Sequence, residues 1–190
     1  MVSDKRKFIF IDIPKTASTS MRFALNESKH KPKKHHSISN IASHYKFCDK
    51  LDEEKIQKYF KFTIVRNPYD RLVSLWLWGM NKDCYIQYKS FNYFVRDAEL
   101  KKLEHEFMYA PQIDFLLNKD GVLCIDFIGK FENLKYDFEK ICRIIGRDGL
   151  KLKHYKKNKR KKYQDYYDEE TFNIVTKMYK KDLLEFGYGF

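Results

Sequence analysis

The stretch FIFIDIPKTASTSMRFAL, residues 8–25, decides the fold of this chain of 190 residues. Its opening residues, 8–13, form a nearly continuous apolar run rich in β-branched and aromatic side chains, which predicts a buried strand. Pro14 ends that strand. A polar loop over 15–20 then leads into apolar side chains from Met21 to Leu25, which predict a helix. The order is therefore strand, polar loop, helix.

The same order recurs in FTIVRNPYDRLVSLWLWG, residues 62–79. The apolar run 62–65 predicts a second buried strand that ends at Arg66. Pro68 suits the first position of a helix and Asn67 its cap, so a largely apolar helix is predicted over 68–79. The pattern also predicts a strand over 122–128 that stops before Gly129, and helices from about residue 37, over 52–59 with Asp52 as N-cap, and over 91–103, 111–117, 137–145 and 168–186.

Strands that alternate with helices favour an α/β fold in which a central parallel sheet is flanked by helices in three layers. The length fits one domain over 1–190. No apolar stretch approaches the ~20 residues needed to span a bilayer, and the polar start lacks the features of a signal peptide. We therefore expect a soluble, cytoplasmic protein without a membrane anchor. The four cysteines form no CxxC pair, which predicts free thiols and no metal site.

The chain is strongly basic, with 38 Lys and Arg against 26 Asp and Glu and a formal net charge of +12. Such a charge indicates a polyanionic partner: nucleic acid, an acidic membrane face, an anionic polysaccharide or a phosphorylated cofactor. The excess is concentrated in two clusters, 29–36 and 151–162, which are also compatible with plain solvated loops. No nucleic-acid-binding motif is found, so no specific nucleic acid is expected.

The first polar loop has the composition of an anion site. Lys15 carries a mobile positive charge, and hydroxyls follow at Thr16, Ser18, Thr19 and Ser20, just before a predicted helix N-terminus. The alternative is an ordinary capped helix start with Thr16 or Ser18 as N-cap. The loop lacks the GxxxxGK[ST] pattern, which argues against a nucleoside triphosphate bound with magnesium.

The second polar loop offers Arg66 at a strand end and Ser74 inside the following helix. In parallel sheets ligands bind beyond the carboxyl ends of the strands, so both loops are expected at one edge of the sheet. Arg66 and Ser74 together suit a second phosphate. The alternatives are an Arg66 engaged in a structural ion pair and a Ser74 hydroxyl bonded back to the preceding turn.

The two loops, IPKTASTS at 13–20 and VRNPYDRLVS at 65–74, closely resemble the two cofactor motifs of the sulfotransferases. The branch they resemble contains the Golgi carbohydrate sulfotransferases and the uronyl 2-O-sulfotransferases. The resemblance continues in three further segments, 110–112, 127–134 and 179–188. It implies a P-loop-like fold, 3′-phosphoadenosine-5′-phosphosulfate (PAPS) as donor, adenosine 3′,5′-bisphosphate as product, and no metal.

By this resemblance, Arg66 and Ser74 bind the 3′-phosphate of the donor. The run 157–162 falls where the family folds a segment over the nucleotide. The 5′-phosphosulfate would be bound by the first loop, that is by Lys15, Thr16, Ala17, Ser18, Thr19 and Ser20.

Sulfuryl transfer needs in-line attack and a stabilised leaving group, as phosphoryl transfer does. Lys15 is the candidate for neutralising the leaving oxygen, and His36, with His35 next, is the candidate general base that activates an acceptor hydroxyl. Both histidines also fit an exposed basic loop, and His44 and His105 are further alternatives. The resemblance implies a saccharide acceptor. A basic cleft would suit an anionic saccharide, and a protein tyrosine or a small phenol remains an alternative acceptor.

Two rival functions remain at the level of sequence. One is a non-catalytic protein that binds polyanions or nucleic acid, which the charge of +12 favours. The other is an ATP-dependent small-molecule kinase, against which the missing Walker glycines count.

Overall fold

The computed structural model of the protein describes residues 1–26, 53–82, 85, 87–99, 106–118, 120–152 and 160–190. Its strands form one four-stranded sheet in the order β1-β2-β3-β4. The strands are β1 (Val2–Ser3), β2 (Phe8–Ile11), β3 (Phe60–Val65) and β4 (Phe127–Lys130). β1 pairs antiparallel with β2, whereas β2–β3 and β3–β4 are parallel. The predicted α/β fold is thus confirmed, whereas the sheet predicted as parallel is only mostly parallel, because β1 runs antiparallel to β2.

The described α-helices are α1 (Ser18–Leu25), α2 (Glu53–Lys58), α3 (Pro68–Met80), α4 (Phe91–Glu99), α5 (Leu134–Ile144), α6 (Glu169–Met178) and α7 (Lys180–Phe186). Short 3₁₀ turns lie at Glu106–Met108, Ile113–Phe115, Phe131–Asn133 and Tyr163–Tyr166. Among the described residues, none of the helices combines the length and the apolar character that crossing a membrane requires.

The last strand of the sheet lies later in the chain than its predicted position. The pattern over 122–128 suggests a strand that stops before Gly129, but β4 runs from Phe127 to Lys130 and contains that glycine. Val122 and Leu123 are instead 59% and 40% exposed. Gly129 is required inside the strand because a Cβ there would lie 2.6 Å from Ile64 Cδ1.

Contacts divide the chain into two compact units, Met1–Val65 with Asp114–Lys157 and Arg66–Ile113 with Asn158–Phe190. The core of the first unit covers one face of the sheet with α1 and α5. Its central pair is Phe10 and Phe62, whose stacked rings lie 5.3 Å apart. Burying each such ring contributes roughly 1.5–3 kcal/mol. The other fully packed members are Phe8, Met21, Leu25, Ile64, Phe138 and Ile141.

The second unit is built on α3, α4, α6 and α7. α3 begins as predicted, because Asn67 Oδ1 accepts a hydrogen bond from Tyr69 N at 3.0 Å and Pro68 takes the first helical position. Aromatic rings fill much of the interior of this unit. Tyr69, for example, stacks on Phe172 at 5.7 Å with an interplanar angle of 6°.

The helix predicted over 168–186 is two helices, since α6 ends at Met178 and α7 begins at Lys180. Before and at the break the buried side chains include Val175 and Tyr179, and beyond it the buried positions are Asp182 and Phe186. The break turns Asp182 inward, toward the polar contacts of the candidate site.

Other predicted bounds shift less. The helix predicted over 111–117 is only the 3₁₀ turn Ile113–Phe115, and the helix predicted over 137–145 begins earlier, at Leu134. The helix predicted over 91–103 is described as far as Glu99. The helix predicted from residue 37 and the cap at Asp52 lie outside the described residues.

Candidate active site

The first loop leaves the carboxyl end of β2 and enters α1 through a strained turn. Lys15 and Ala17 have φ angles of 69° and 68°, in the left-handed region. This conformation costs a residue with a Cβ roughly 1–2 kcal/mol. Strain of this kind at residues other than glycine is characteristic of functional sites, where the surrounding structure enforces it.

Two hydroxyls of this loop shape its backbone. Thr16 Oγ1 and Ser18 Oγ both donate to the carbonyl oxygen of Ile13, at 2.9 and 2.5 Å. Thr16 is fully buried. The N-cap position of α1 is occupied by Ala17, whose side chain has no oxygen, so the alternative of a helix capped by Thr16 or Ser18 is wrong.

The N–H groups of the first turn of α1 therefore lack a capping side chain from the N-cap residue. Lys15 and Thr19 beside them are partly exposed, whereas Ser20 is buried. The positive end of the helix dipole and the Lys15 ammonium both favour an anion at this place.

An ion pair connects the two ends of the same loop. Arg22 Nη1 lies 2.7 Å from Asp12 Oδ2, and Asp12 is only 1% exposed. The pair joins the residue that follows β2 to the second turn of α1, so it holds the two ends of the loop at a set distance. Sequence reasoning missed this pair, because nothing in the spacing of Asp12 and Arg22 identifies them as partners.

In the second unit, Arg66 follows β3 directly in the chain and is held by Gln112. Arg66 N donates to Gln112 Oε1 at 2.9 Å, and Gln112 Nε2 donates to the Arg66 carbonyl oxygen at 2.8 Å. Asp182 holds Gln112 in turn, since its carboxylate accepts from Gln112 N at 2.7 Å and from Ile113 N at 2.9 Å. Gln112 and Asp182 are both 0% exposed.

Burial raises the pKa of Asp182, and the hydrogen bonds from the Gln112 and Ile113 backbone act in the opposite direction. Gln112 and Asp182 lie in the segments 110–112 and 179–188. In the sequence, these segments stand out only by their resemblance to the sulfotransferases. Their contacts give them a physical role, which is to fix the backbone of Arg66.

The Arg66 side chain forms an ion pair with Asp70. Nε and Nη2 of Arg66 lie 2.8 and 2.6 Å from Asp70 Oδ2. The other carboxylate oxygen, Oδ1, binds Nη2 of Arg160. The structural ion pair considered for Arg66 is therefore present, and binding of a phosphate by Arg66 stays a prediction.

Arg71 is engaged in structure. It is 2% exposed, and its guanidinium donates to the carbonyl oxygens of Ala110 at 2.9 Å and Met108 at 3.1 Å. Burial lowers the pKa of Arg71, and the charge of Asp182 opposes that effect. Ser74, one turn after Asp70 on α3, is partly exposed, and its role as a phosphate ligand stays a prediction.

The candidate bases His36 and His35 lie outside the described residues, as do the alternatives His44 and His105. Of the basic run 151–162, the structure describes 151–152 and 160–162. Within the described part of the chain, no group of three or more His, Cys, Asp and Glu side chains is arranged to hold a metal ion.

Comparison with known proteins identifies the family. A protein of Archaeoglobus fulgidus, named only as uncharacterised, is 29% identical over 98 residues, which are 52% of this chain and 77% of that protein. No solved structure matches. The model of the sulfotransferase family matches residues 1–189. The chain therefore belongs to the sulfotransferase family.

Proposed function

We propose that this sulfotransferase moves the sulfuryl group of PAPS to a hydroxyl of a carbohydrate acceptor, as a single domain of P-loop-like fold. The observation that carries the proposal is the pairing of β2 and β3. They are parallel neighbours, with Ile11 opposite Thr63, and each strand ends where a loop with a sulfotransferase-like motif begins. Ligands of parallel sheets bind at this edge.

The 5′-phosphosulfate is assigned to the first loop, that is to Lys15, Thr16, Ala17, Ser18, Thr19 and Ser20. The left-handed backbone at Lys15 and Ala17 and the start of α1 support this assignment, because a helix N-terminus and turns of this kind can present N–H groups to an anion. Thr16 and Ser18 would contribute through the backbone, since their hydroxyls already donate to Ile13.

The 3′-phosphate is assigned to Arg66 and Ser74. The bonds from Gln112 support this role for Arg66, because they fix the backbone from which the guanidinium extends. A charged donor held in advance loses less conformational entropy when it binds a phosphate. The arginine fork also matches the geometry of phosphate oxygens.

In the proposed reaction, the acceptor hydroxyl oxygen attacks sulfur in line with the bond that breaks. A new S–O bond forms, and the bond between sulfur and the bridging oxygen breaks, which leaves adenosine 3′,5′-bisphosphate. The Lys15 ammonium stabilises the negative charge that develops on the leaving oxygen, and His36 or His35 takes the proton of the hydroxyl. No metal is required for these steps.

Two measurements test the function. Adenosine 3′,5′-bisphosphate without magnesium should raise the melting temperature, and at about 100-fold saturation it should stabilise the protein by roughly 2.7 kcal/mol. With PAPS radiolabelled in its sulfuryl group, the label should be transferred to saccharides from a test panel in preference to phenols and tyrosine peptides. The absence of any thermal shift at millimolar nucleotide would refute the proposal, and transfer only to phenols or peptides would refute its acceptor class.

A further inference from the structure

Asp70 joins two arginines that are distant in sequence. We call Arg66, Asp70 and Arg160 the two-arginine cluster. The side chains are 7%, 15% and 21% exposed. Each carboxylate oxygen of Asp70 serves one guanidinium: Oδ2 binds Arg66, and Oδ1 binds Arg160. The cluster lies wholly within the second unit.

The cluster has an excess of positive charge and of hydrogen-bond donors. Two guanidinium groups and one carboxylate leave a net charge of +1. Arg160 Nη1 is buried, and none of the described residues provides an acceptor for it. A buried donor without an acceptor is unfavourable, and the tetrahedral oxygens of a phosphate are the kind of acceptor that arginine pairs with best.

The spacing on α3 supports the same ligand. Ser74 follows Asp70 by four residues, so the two side chains lie on one face of the helix. That face presents a hydroxyl one turn from the two-arginine cluster. The combination of two guanidiniums and a serine hydroxyl fits a phosphate monoester that carries two negative charges near neutral pH.

A carboxylate beside a phosphate would by itself repel that phosphate. We propose that Asp70 is nevertheless a positioning residue of the 3′-phosphate site, because it holds Arg160 beside Arg66 so that both guanidiniums bind one phosphate group. This inference rests on the proposed function. It gives one member of the basic run 151–162 a specific task, where the sequence shows only a cluster of charge.

The experiment exploits two opposite expectations for Asp70→Asn. If Asp70 positions the arginines, its loss should weaken the binding of adenosine 3′,5′-bisphosphate by about tenfold or more. The affinity for adenosine 5′-monophosphate, which lacks the 3′-phosphate, should stay unchanged. If Asp70 only neutralises charge, its loss should strengthen binding of the bisphosphate, and the inference is then wrong.

Asp165→Asn is the matched control, since it removes the same charge from an exposed position in the segment that follows Arg160. This control variant should leave the ratio of the affinity for adenosine 3′,5′-bisphosphate to the affinity for adenosine 5′-monophosphate at the wild-type value. Arg160→Ala should lower that ratio as Asp70→Asn does, and the double variant should show little further loss, because both changes remove one contact. Additive losses would contradict the inference.

Isothermal titration calorimetry gives both affinities, and the melting temperature of each free variant reports its folding. If Asp70→Asn fails to fold, Arg160→Ala decides: an unchanged affinity ratio in that variant overturns the inference. A wild-type protein that binds the two nucleotides equally would refute the proposed function itself, which separates that failure from the failure of the positioning role.

Discussion

The side-chain amide of Gln112 pairs with both polar groups of the Arg66 backbone, as a neighbouring strand would. The two hydrogen bonds measure 2.9 and 2.8 Å, and both residues are buried. The two bonds continue the hydrogen-bonded backbone of β3 by one residue, into the motif that follows the strand. The donor and the acceptor of the Gln112 side chain are both used, so this position requires a side chain that offers both.

We expect Gln112→Glu to destabilise the protein at neutral pH and to recover on acidification. An ionised Glu would place one oxygen against the Arg66 carbonyl oxygen and close to the Asp182 carboxylate, so about 1–3 kcal/mol should be lost for each unsatisfied group. The folded-state pKa of the new Glu is then raised above its unfolded value. Its stabilising contribution is present below the unfolded pKa and is lost as pH rises through the folded pKa.

Urea unfolding at several pH values between 5 and 8 measures this effect. Gln112→Ala is the control, because it removes both side-chain bonds to Arg66 without adding a titratable group. Its deficit should therefore vary less with pH than that of Gln112→Glu. If the deficit of Gln112→Glu stayed constant across this range, the proton-dependent pairing would be disproved.

The role proposed for Lys15 is tested by two substitutions that differ in backbone freedom. Lys15→Ala and Lys15→Gly both remove the ammonium, so each should lose transfer activity by about 10²–10³-fold. Glycine adopts the φ angle of 69° without strain, so Lys15→Gly should melt at a higher temperature than Lys15→Ala. Activity retained in the glycine variant would show that the loop needs the conformation and not the charge.

Much of the fold follows from local sequence. The apolar runs beginning at Phe8 and Phe62 predict β2 and β3, and Asn67 with Pro68 predicts the start of α3, because each signal is contained within a few residues. The two motif loops are likewise contiguous, so the order of residues alone is enough to find them. The family comparison supports the sulfotransferase assignment that they suggest.

The remainder depends on contacts between distant residues. Asp182 is buried against Gln112, 70 positions earlier in the chain, and no periodicity reveals such a partner. Tyr179 similarly donates from its hydroxyl to the carbonyl oxygen of Tyr109 at 2.5 Å. Tyr179 lies at the break between α6 and α7, and Asp182 lies in the first turn of α7. The sequence predicts this whole region as one continuous helix. The position of β4 escapes prediction for a comparable reason, since packing against Ile64 and Asp137, both of which lie outside that strand, explains Gly129.

Gly129→Ala should destabilise the first unit. The added Cβ would lie 2.6 Å from Ile64 Cδ1 and 3.0 Å from Asp137 Cβ, and overpacking of this kind typically costs about 1–3 kcal/mol. Asp137 has little freedom to move, because its Oδ2 accepts from Lys130 N at 2.7 Å. Gly189→Ala meets no atom within 4 Å and should be nearly neutral. Equal unfolding free energies for the two variants in urea would contradict the packing argument.

Asp168 makes α6 sensitive to acid. Its carboxylate accepts from Thr171 N at 2.8 Å and from Thr171 Oγ1 at 2.6 Å, as part of a capping box. The Thr171 side chain is the main cause that lowers the pKa of Asp168, followed by the Thr171 backbone. A lowered folded-state pKa means that this contribution to stability is present above the unfolded value near pH 4 and is lost as pH falls through the folded pKa.

Two substitutions separate the cap from its charge. Asp168→Ala should lose about 1 kcal/mol at pH 7, the usual contribution of an N-cap, and the deficit should shrink toward pH 3. Asp168→Asn keeps an acceptor oxygen, so it should match the wild type closely at pH 7 and become the more stable of the two near pH 3. Urea unfolding at both pH values measures these differences. If the stability of Asp168→Asn fell with acid as steeply as that of the wild type, the sensitivity would belong to other carboxylates and not to this cap.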